Sequence, residues 1–275
     1  MNPYLSTPLL TPLKLLPMRP SLLTVLLGAL LSLPMLAASE PIRVGLLTDT
    51  SCTDGKSREA AWKVLSGAPD IAPRRIVSQD IRDGILNELD VVIFPGGTGS
   101  GQASSLGPEG AANLQSAIRS GKGFIGICAG GYMMAQDSAT KPTALISAQN
   151  HDGEHWARGE AFITVRNADD STTHTMWYEN GPIFVPAPAS DLPAYTPLIT
   201  YVSDLAAKDA PTGQMTGRHA VIAAPLGQGR VVAFGPHPEL SPQLNHWLLN
   251  AIRWTARRTS HETITRHAVL EGDPR

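Results

Sequence analysis

The stretch Gly123-Phe124-Ile125-Gly126-Ile127-Cys128-Ala129-Gly130-Gly131-Tyr132-Met133-Met134-Ala135 runs from a strand-like apolar segment straight into a helix start, with Cys128 at the junction. A short continuous apolar run fits a strand buried on both faces, as in a parallel sheet. Gly126 and Gly130 flank the junction, and glycine, lacking Cβ, lets a backbone reverse tightly without a clash. Gly-x-Cys-x-Gly at such a reversal is the pattern of a nucleophile elbow, with cysteine where many hydrolases carry serine. The alternative for Cys128 is a small buried core residue, the common fate of a free cysteine. The flanking glycines favour the elbow.

The surrounding chain alternates strand and helix. Ile42–Leu47 reads as a strand, Thr48–Lys56 as a polar loop, and Ser57–Leu65 as a helix with Ser57 as a possible cap. A short strand is expected around Arg75–Val77, and Val91–Phe94 forms another, stopped by Pro95-Gly96-Gly97. A helix follows over Pro108–Ser120. This alternation predicts βαβ units on a parallel sheet, with functional loops at the strand C-termini. Cys128, Gly96, Gly97 and the Thr48–Lys56 loop should therefore share one rim. From Lys141 to Tyr201 the composition shifts to Thr, Pro and aromatic residues, which predicts a β-rich excursion with strands near Ala161–Arg166, Thr173–Tyr178 and Leu198–Tyr201. Ala220–Ala224 and Gly229–Phe234 read as a hairpin, Gln243–Arg257 as the last helix, and Thr259 onward as a loose polar tail. One α/β domain over residues 39–258 accounts for this pattern.

The first 38 residues carry Lys14 and Arg19, no acid, an uncharged run through Leu22–Leu33, then Pro34 and the small residues Ala37-Ala38-Ser39. That order is the grammar of a secretory signal peptide, cleaved near Ala38. An uncleaved anchor is the alternative, since the apolar run approaches the roughly 20 residues that span a bilayer. The expected destination is the periplasm, without stable membrane insertion after cleavage. The whole chain has 22 Lys+Arg against 24 Asp+Glu, a formal net charge of −2, and losing the leader makes it more acidic. No basic stripe is left for nucleic acid. With only Cys52 and Cys128 present, the fold is not a disulfide scaffold. A local bridge between the two is possible only if their Cα atoms come within about 7 Å.

A thiol nucleophile needs a proton shuttle. Pro236-His237-Pro238-Glu239 supplies an imidazole with a carboxylate two residues on, after a late strand. His237 would move protons and Glu239 would orient the ring, while the prolines stiffen the turn. The glycine-rich Pro95–Gly101 loop lacks the Lys and Ser/Thr ending of a nucleotide-binding loop, so no phosphate cofactor is expected. His151-Asp152-Gly153-Glu154-His155 groups two imidazoles with two carboxylates. Glycine and polar surroundings suggest a loop, and no further ligand is evident by spacing, so no metal site is expected there.

An elbow cysteine followed by a strand-end His-Pro-Glu resembles the class I glutamine amidotransferases. More closely, the chain resembles the N-terminal amidotransferase-like domain of the large biotin–protein ligases. The residues that carry this are Phe94-Pro95-Gly96-Gly97, Gly123–Tyr132, Trp177-Tyr178-Glu179-Asn180-Gly181-Pro182, and Gly227–Glu239 ending in Gly-Pro-His-Pro-Glu. The resemblance implies a flavodoxin-like, mostly parallel sheet with helices on both faces and a Cys128-His237-Glu239 site. It also implies that the loop after Phe94 faces the nucleophile, which makes the Gly97 and Ala129 N–H groups the candidate oxyanion hole. Gly96, Tyr178 and Asn180, with Glu179 between the last two, are candidates for lining the substrate cleft, or are loop-packing residues. The residues after 258 are too few for a biotin ligase catalytic domain, so biotin transfer is not expected, and export would separate the chain from cytosolic synthases that use ammonia.

The expected function is that of an exported thiol hydrolase or amidotransferase-like protein acting on a small-molecule or peptide amide, with no cofactor. The rivals are a non-catalytic binding or scaffold module on the same fold, and a redox or carbonyl-reactive protein using Cys128 without a full triad.

Overall fold

The computed structural model describes residues 40–137, 141–188, 191–207, 209–257 and 263–272. The proposed leader lies outside the described residues. Eleven strands form one sheet: β1 (Ile42–Leu47), β2 (Ile71–Ile76), β3 (Val91–Phe94), β4 (Gly123–Ile127), β5 (Ala148–Asn150), β6 (Glu160–Asn167), β7 (Thr173–Glu179), β8 (Phe184–Pro186), β9 (Thr196–Tyr201), β10 (His219–Leu226) and β11 (Gly229–Phe234). The main path runs β2-β1-β3-β4-β11-β10-β9-β6-β7, with β8 paired to β10 and β5 paired to β8.

Two kinds of pairing share this sheet. β2, β1, β3, β4 and β11 are parallel. From β11 onward the neighbours are antiparallel, through β10, β9, β6 and β7. The β-rich segment expected over 141–201 contributes β5 to β9, and β9, β6 and β7 continue the sheet in antiparallel fashion beyond β10. Short hairpin-type links suffice for antiparallel neighbours, whereas parallel ones need crossover helices, and the helices cluster accordingly on the parallel half.

Those helices are α1 (Gly55–Ser66), α2 (Ser78–Arg82), α3 (Gly99–Arg119), α4 (Ala129–Met133) and α5 (Asn245–Ala256). Side chains alternate across a strand, so each buried strand feeds both faces. Val44, Leu46, Ile93, Ile125 and Phe234 pack with Ala61 and Leu65 of α1 and Trp247, Leu248 and Ile252 of α5. Leu47, Val92, Phe94 and Phe124 pack with Ile81 of α2, Leu106 and Leu114 of α3 and Met133 of α4 on the other face. Among the described residues no helix is long and apolar enough to cross a membrane.

Several local expectations are corrected. The cap of α1 is Asp54, whose carboxylate accepts from Ser57 N at 2.8 Å, a bond worth about 1 kcal/mol. Ser57 is buried inside the first turn. α3 starts at Gly99, within the glycine-rich segment, and kinks at Gly107, φ 63°. Pro108 disfavours helical geometry in the residue before it, and glycine tolerates the left-handed alternative. The second strand ends at Ile76 rather than centring on it. Residues 263–272 are not a loose tail: Val269 and Leu270 are buried against the α5 face, and Asn250 Nδ2 donates to Leu270 O at 2.9 Å.

The order of strands explains where a site belongs. The sheet is built outward in opposite directions from β1 and β3, and such a switch point leaves a crevice at the strand C-termini. β4 lies beside β3, and β11 beside β4, with Phe234 in register with Ile127. Residues immediately after β4 and β11 therefore emerge side by side. Gly130 lets α4 seat on the end of β3, because a Cβ there would collide with the Phe94 carbonyl oxygen. Gly130→Ala should cost about 1–3 kcal/mol or more, the range of core overpacking, in urea unfolding. A variant as stable as the parent would contradict this seating.

Candidate active site

Cys128 sits between β4 and α4 with φ 50° and ψ −102°. A non-glycine residue held in such geometry costs about 1–3 kcal/mol, which the surroundings must offset. Here Cys128 N donates to Phe234 O at 2.8 Å, and its carbonyl accepts from Tyr132 N at 3.0 Å. Gly126 is required too, since a Cβ there would strike the Gly130 carbonyl. The side chain is 7 % exposed, and Sγ donates to the Glu179 main-chain oxygen at 3.4 Å.

His237 and Glu239 follow β11 in a short turn. His237 N donates to Trp177 O at 2.8 Å, and Ser241 Oγ donates to His237 O at 2.7 Å while accepting from Trp177 N at 2.9 Å. The histidine backbone is thus clamped from β7 and from its own turn. Its Nδ1 meets Glu239 Oε1 at 2.7 Å, and both residues are almost fully buried, at 2 % and 4 % exposure. Burial alone lowers the ring's proton affinity, but the Glu239 charge and then Cys128 outweigh it, and His237 is carried well above its ordinary value. Nδ1 is held by Glu239, and Nε2 makes no hydrogen bond among the described residues.

Gly96 and Gly97 arch over this pair. Gly96 N donates to Ser57 Oγ at 2.8 Å and Gly96 O accepts from Asp54 N at 2.8 Å. In a trans peptide the C=O and the following N–H point opposite ways, so the Asp54 bond also fixes the Gly97 N–H. Neither that N–H nor the first N–H of α4, Ala129, donates to a protein acceptor among the described residues. A Cβ at Gly96 would lie 2.9 Å from His237 Cε1, so only glycine lets the loop pack on the ring.

A cleft of about 980 Å³ opens here, walled by the Thr50–Asp54 loop, Gly96–Ser100, Cys128, Glu179, Asn180 and His237. The expected Cys128, His237, Gly96, Gly97 and Asn180 all border it. Tyr178 does not: it is fully buried, donates to Gly181 O at 2.9 Å and packs edge-on against Tyr201. Asn180 lines the wall, yet its side chain braces the loop, accepting from Gly159 N at 2.7 Å. Cys52 shares the cleft with Cys128, and both thiols are free. Burial, and then the Asp49 charge, push the Cys52 thiol up.

The His151–His155 segment is organised without an ion. Asp152 engages His155 Nδ1 at 2.6 Å and pairs with Arg158 through its other oxygen. His151 turns to Gln214, at 2.7 Å. The donor atoms of Asp152, Glu154 and His155 lie within 4.8 Å of one another, but the Arg158 cation on Asp152 opposes a metal there.

Sequence reasoning missed several participants. Ser57 was assigned to the helix cap, but its hydroxyl donates to Glu239 Oε1 at 2.7 Å. The Glu179 contribution beside Cys128 is its carbonyl, which no side-chain pattern reveals. Its carboxylate accepts from Lys56 Nζ and Trp177 Nε1, each at 3.1 Å. Burial acts against it, but those two donors lower its proton affinity.

The raised His237 value sets a pH dependence. The folded ring holds its proton more tightly than the unfolded one, so its stabilisation is complete below about pH 6.5 and is lost as pH rises through the folded value. In a Cys128→Ser background, which removes the thiol titration, denaturant melts should show this. The stability advantage over His237→Gln/Glu239→Gln should be largest at pH 5.5–6 and shrink on the alkaline side. An advantage that grows with pH would contradict the direction.

Three solved structures are similar in fold at low identity: a cytoplasmic protein of Salmonella typhimurium LT2 (10 % identity, 78 % of this chain and 100 % of that one, TM-score 0.48), a ThuA-like protein of Bacteroides uniformis (12 %, 74 % and 86 %, 0.44), and the β-galactosidase of Bacillus circulans sp. alkalophilus (11 %, 74 % and 29 %, 0.46). The match spans less than a third of that β-galactosidase. No curated protein matches by sequence. The family model "Biotin-protein ligase, N terminal" matches residues 83–140 and 151–268, which include Cys128, His237 and Glu239. The chain therefore belongs to the biotin-protein ligase N-terminal family.

Proposed function

We propose that this chain is an exported cysteine-dependent amide hydrolase, or amidotransferase-like enzyme, built on a flavodoxin-like domain. The observation that carries the reading is His237: buried, held at Nδ1 by Glu239, with Nε2 unpartnered on the cleft wall that also holds the strained Cys128. A polar nitrogen buried without a partner costs free energy, and a reacting thiol is the partner that would repay it. The strand order β2-β1-β3-β4-β11 in the parallel half supports the flavodoxin-like description. The charge-apolar-small order of the leader supports export to the periplasm.

In the proposed reaction Cys128 reacts as the thiolate, paired with the His237 imidazolium whose Nε2 already carries a proton, and Sγ bonds to the amide carbon. The negative oxygen is met by the Gly97 and Ala129 N–H groups. The C–N bond then breaks, His237 gives its proton to the leaving nitrogen, and a thioester remains on Cys128. Water, deprotonated by the now neutral His237, attacks the thioester, and the sulfur leaves as the thiolate beside the reprotonated ring while the acid departs. The Glu179 carbonyl, now receiving the thiol, is placed to accept an N–H of the leaving amine. Asp54, Asp137 and Glu179 line the cleft, which suits an amide carried by a polar small molecule or peptide.

One observation favours the rival binding-module reading: Sγ donates to the Glu179 carbonyl rather than to His237. Amine or ammonia release from glutamine, asparagine and amidated peptides separates the two. The enzyme reading expects turnover that Cys128→Ser abolishes and His237→Ala lowers by at least about 10²-fold. Ligand binding that is unaffected by Cys128→Ser, without release from any of these amides, would establish the binding module instead.

A further inference from the structure

We infer that Ser57 is a positioning residue of this site, a single buried hydroxyl that locks the Glu239 carboxylate under His237 and ties it to the glycine loop opposite Cys128. The inference rests on the hydrolase reading given above, and it assigns a role to a residue outside the Cys-His-Glu set.

Proton bookkeeping around Ser57 leaves one arrangement. Gly96 N can only donate, so Ser57 Oγ accepts from it, at 2.8 Å. The Glu239 carboxylate only accepts, so the Ser57 proton goes to Oε1, at 2.7 Å. The same Oε1 also faces His237 Nδ1 at 2.7 Å, and Oε2 has no partner among the described residues. Both bonds that fix this carboxylate therefore converge on one oxygen, and Ser57 supplies one of them. Ser57 is itself immovable: it is fully buried in the first turn of α1, with its N–H on the Asp54 cap.

The second connection runs to the loop. The Asp54–Ser57 turn holds Gly96 at both ends, Asp54 N on its carbonyl and Ser57 Oγ on its N–H. A Cβ at Gly96 would sit 3.0 Å from Ser57 Cβ and 2.9 Å from His237 Cε1, so loop, hydroxyl and imidazole are in mutual contact. Removing the hydroxyl leaves a carboxylate with one bond instead of two and a buried N–H with none. With one of its two bonds gone the Glu239 carboxylate is no longer fixed against Nδ1, and the imidazole above it loses its support. The other charged groups facing His237 are Cys128 from the elbow and Glu179 from β7, the latter paired with Lys56 of α1. Asp54 faces the same cleft from the start of α1. None of these changes with Ser57.

The test uses the protein carrying Cys52→Ala, so that Cys128 is the one remaining thiol, and follows iodoacetamide labelling from pH 5.5 to 9 alongside thermal melts. Ser57→Ala should label Cys128 about tenfold more slowly at pH 6.5, with the whole profile displaced to higher pH. Ser57→Thr, which keeps the hydroxyl, should restore the parental profile even where its melting temperature falls, since a packing defect does not move a pH profile. Should Ser57→Ala not fold, Ser57→Gly, which also removes the hydroxyl and adds no thiol, should give the same displaced profile. His237→Ala serves as the reference. If it slows labelling while Ser57→Ala keeps the parental profile, Ser57 is a packing residue and the inference falls with the triad intact. If His237→Ala changes nothing, the triad reading itself fails.

Discussion

The contact between Glu239 Oε1 and His237 Nδ1 is made where almost no water reaches, and much of the surrounding architecture answers to that condition. A buried charge is tolerated only when paired and hydrogen-bonded, and removing one partner of such a pair typically costs about 3–5 kcal/mol. The chain meets the demand from three directions. β11 delivers the histidine, the Trp177–Ser241 clamp fixes its backbone, and the first turn of α1 brings the Ser57 hydroxyl to the carboxylate. Trp177 of β7 and Ser57 of α1 are both far from His237 in sequence, so the pair forms only once the sheet and α1 are assembled.

The Cys128 side of the cleft depends on absent side chains. Gly126 and Gly130 let the backbone turn at Cys128 within contact distance of β3, and Gly96 lets its loop lie on the imidazole. The strain at Cys128 is held by bonds from Phe234 and Tyr132. Strain stored at one residue and over-determined by its neighbours is a common property of functional sites. It also explains why the two halves of the site share β4 and β11, adjacent parallel strands whose C-termini can only emerge together.

The parts of this arrangement that were legible in the sequence are those encoded locally. Glycine spacing revealed the strand-to-helix turn at Cys128, and His237-Pro238-Glu239 revealed the imidazole–carboxylate pair, because each is a short local pattern. The parallel strands were legible as apolar runs. Sequence left Tyr178 open between cleft wall and loop packing, because an aromatic residue in a polar turn suits either, and only the Tyr201 ring and the Gly181 carbonyl show it to be packed. Ser57 was invisible as a site residue because a serine at a helix start has a sufficient local explanation in capping, which Asp54 in fact fulfils. The joining of β6, β7 and β9 to the main sheet, and the docking of Val269 and Leu270, depend on partners far along the chain, which periodicity does not specify.

The central claim is that the protein maintains a charged imidazole inside its core next to Cys128. Nitrogen-15 NMR of the His237 ring measures this directly, because the two ring nitrogens report separately whether each carries a proton. The account predicts a ring that stays doubly protonated well above pH 7, with Nδ1–H hydrogen-bonded to Glu239, and that loses this state in Glu239→Gln. A His237 ring that is neutral at pH 7 and titrates at or below the ordinary histidine range would contradict it.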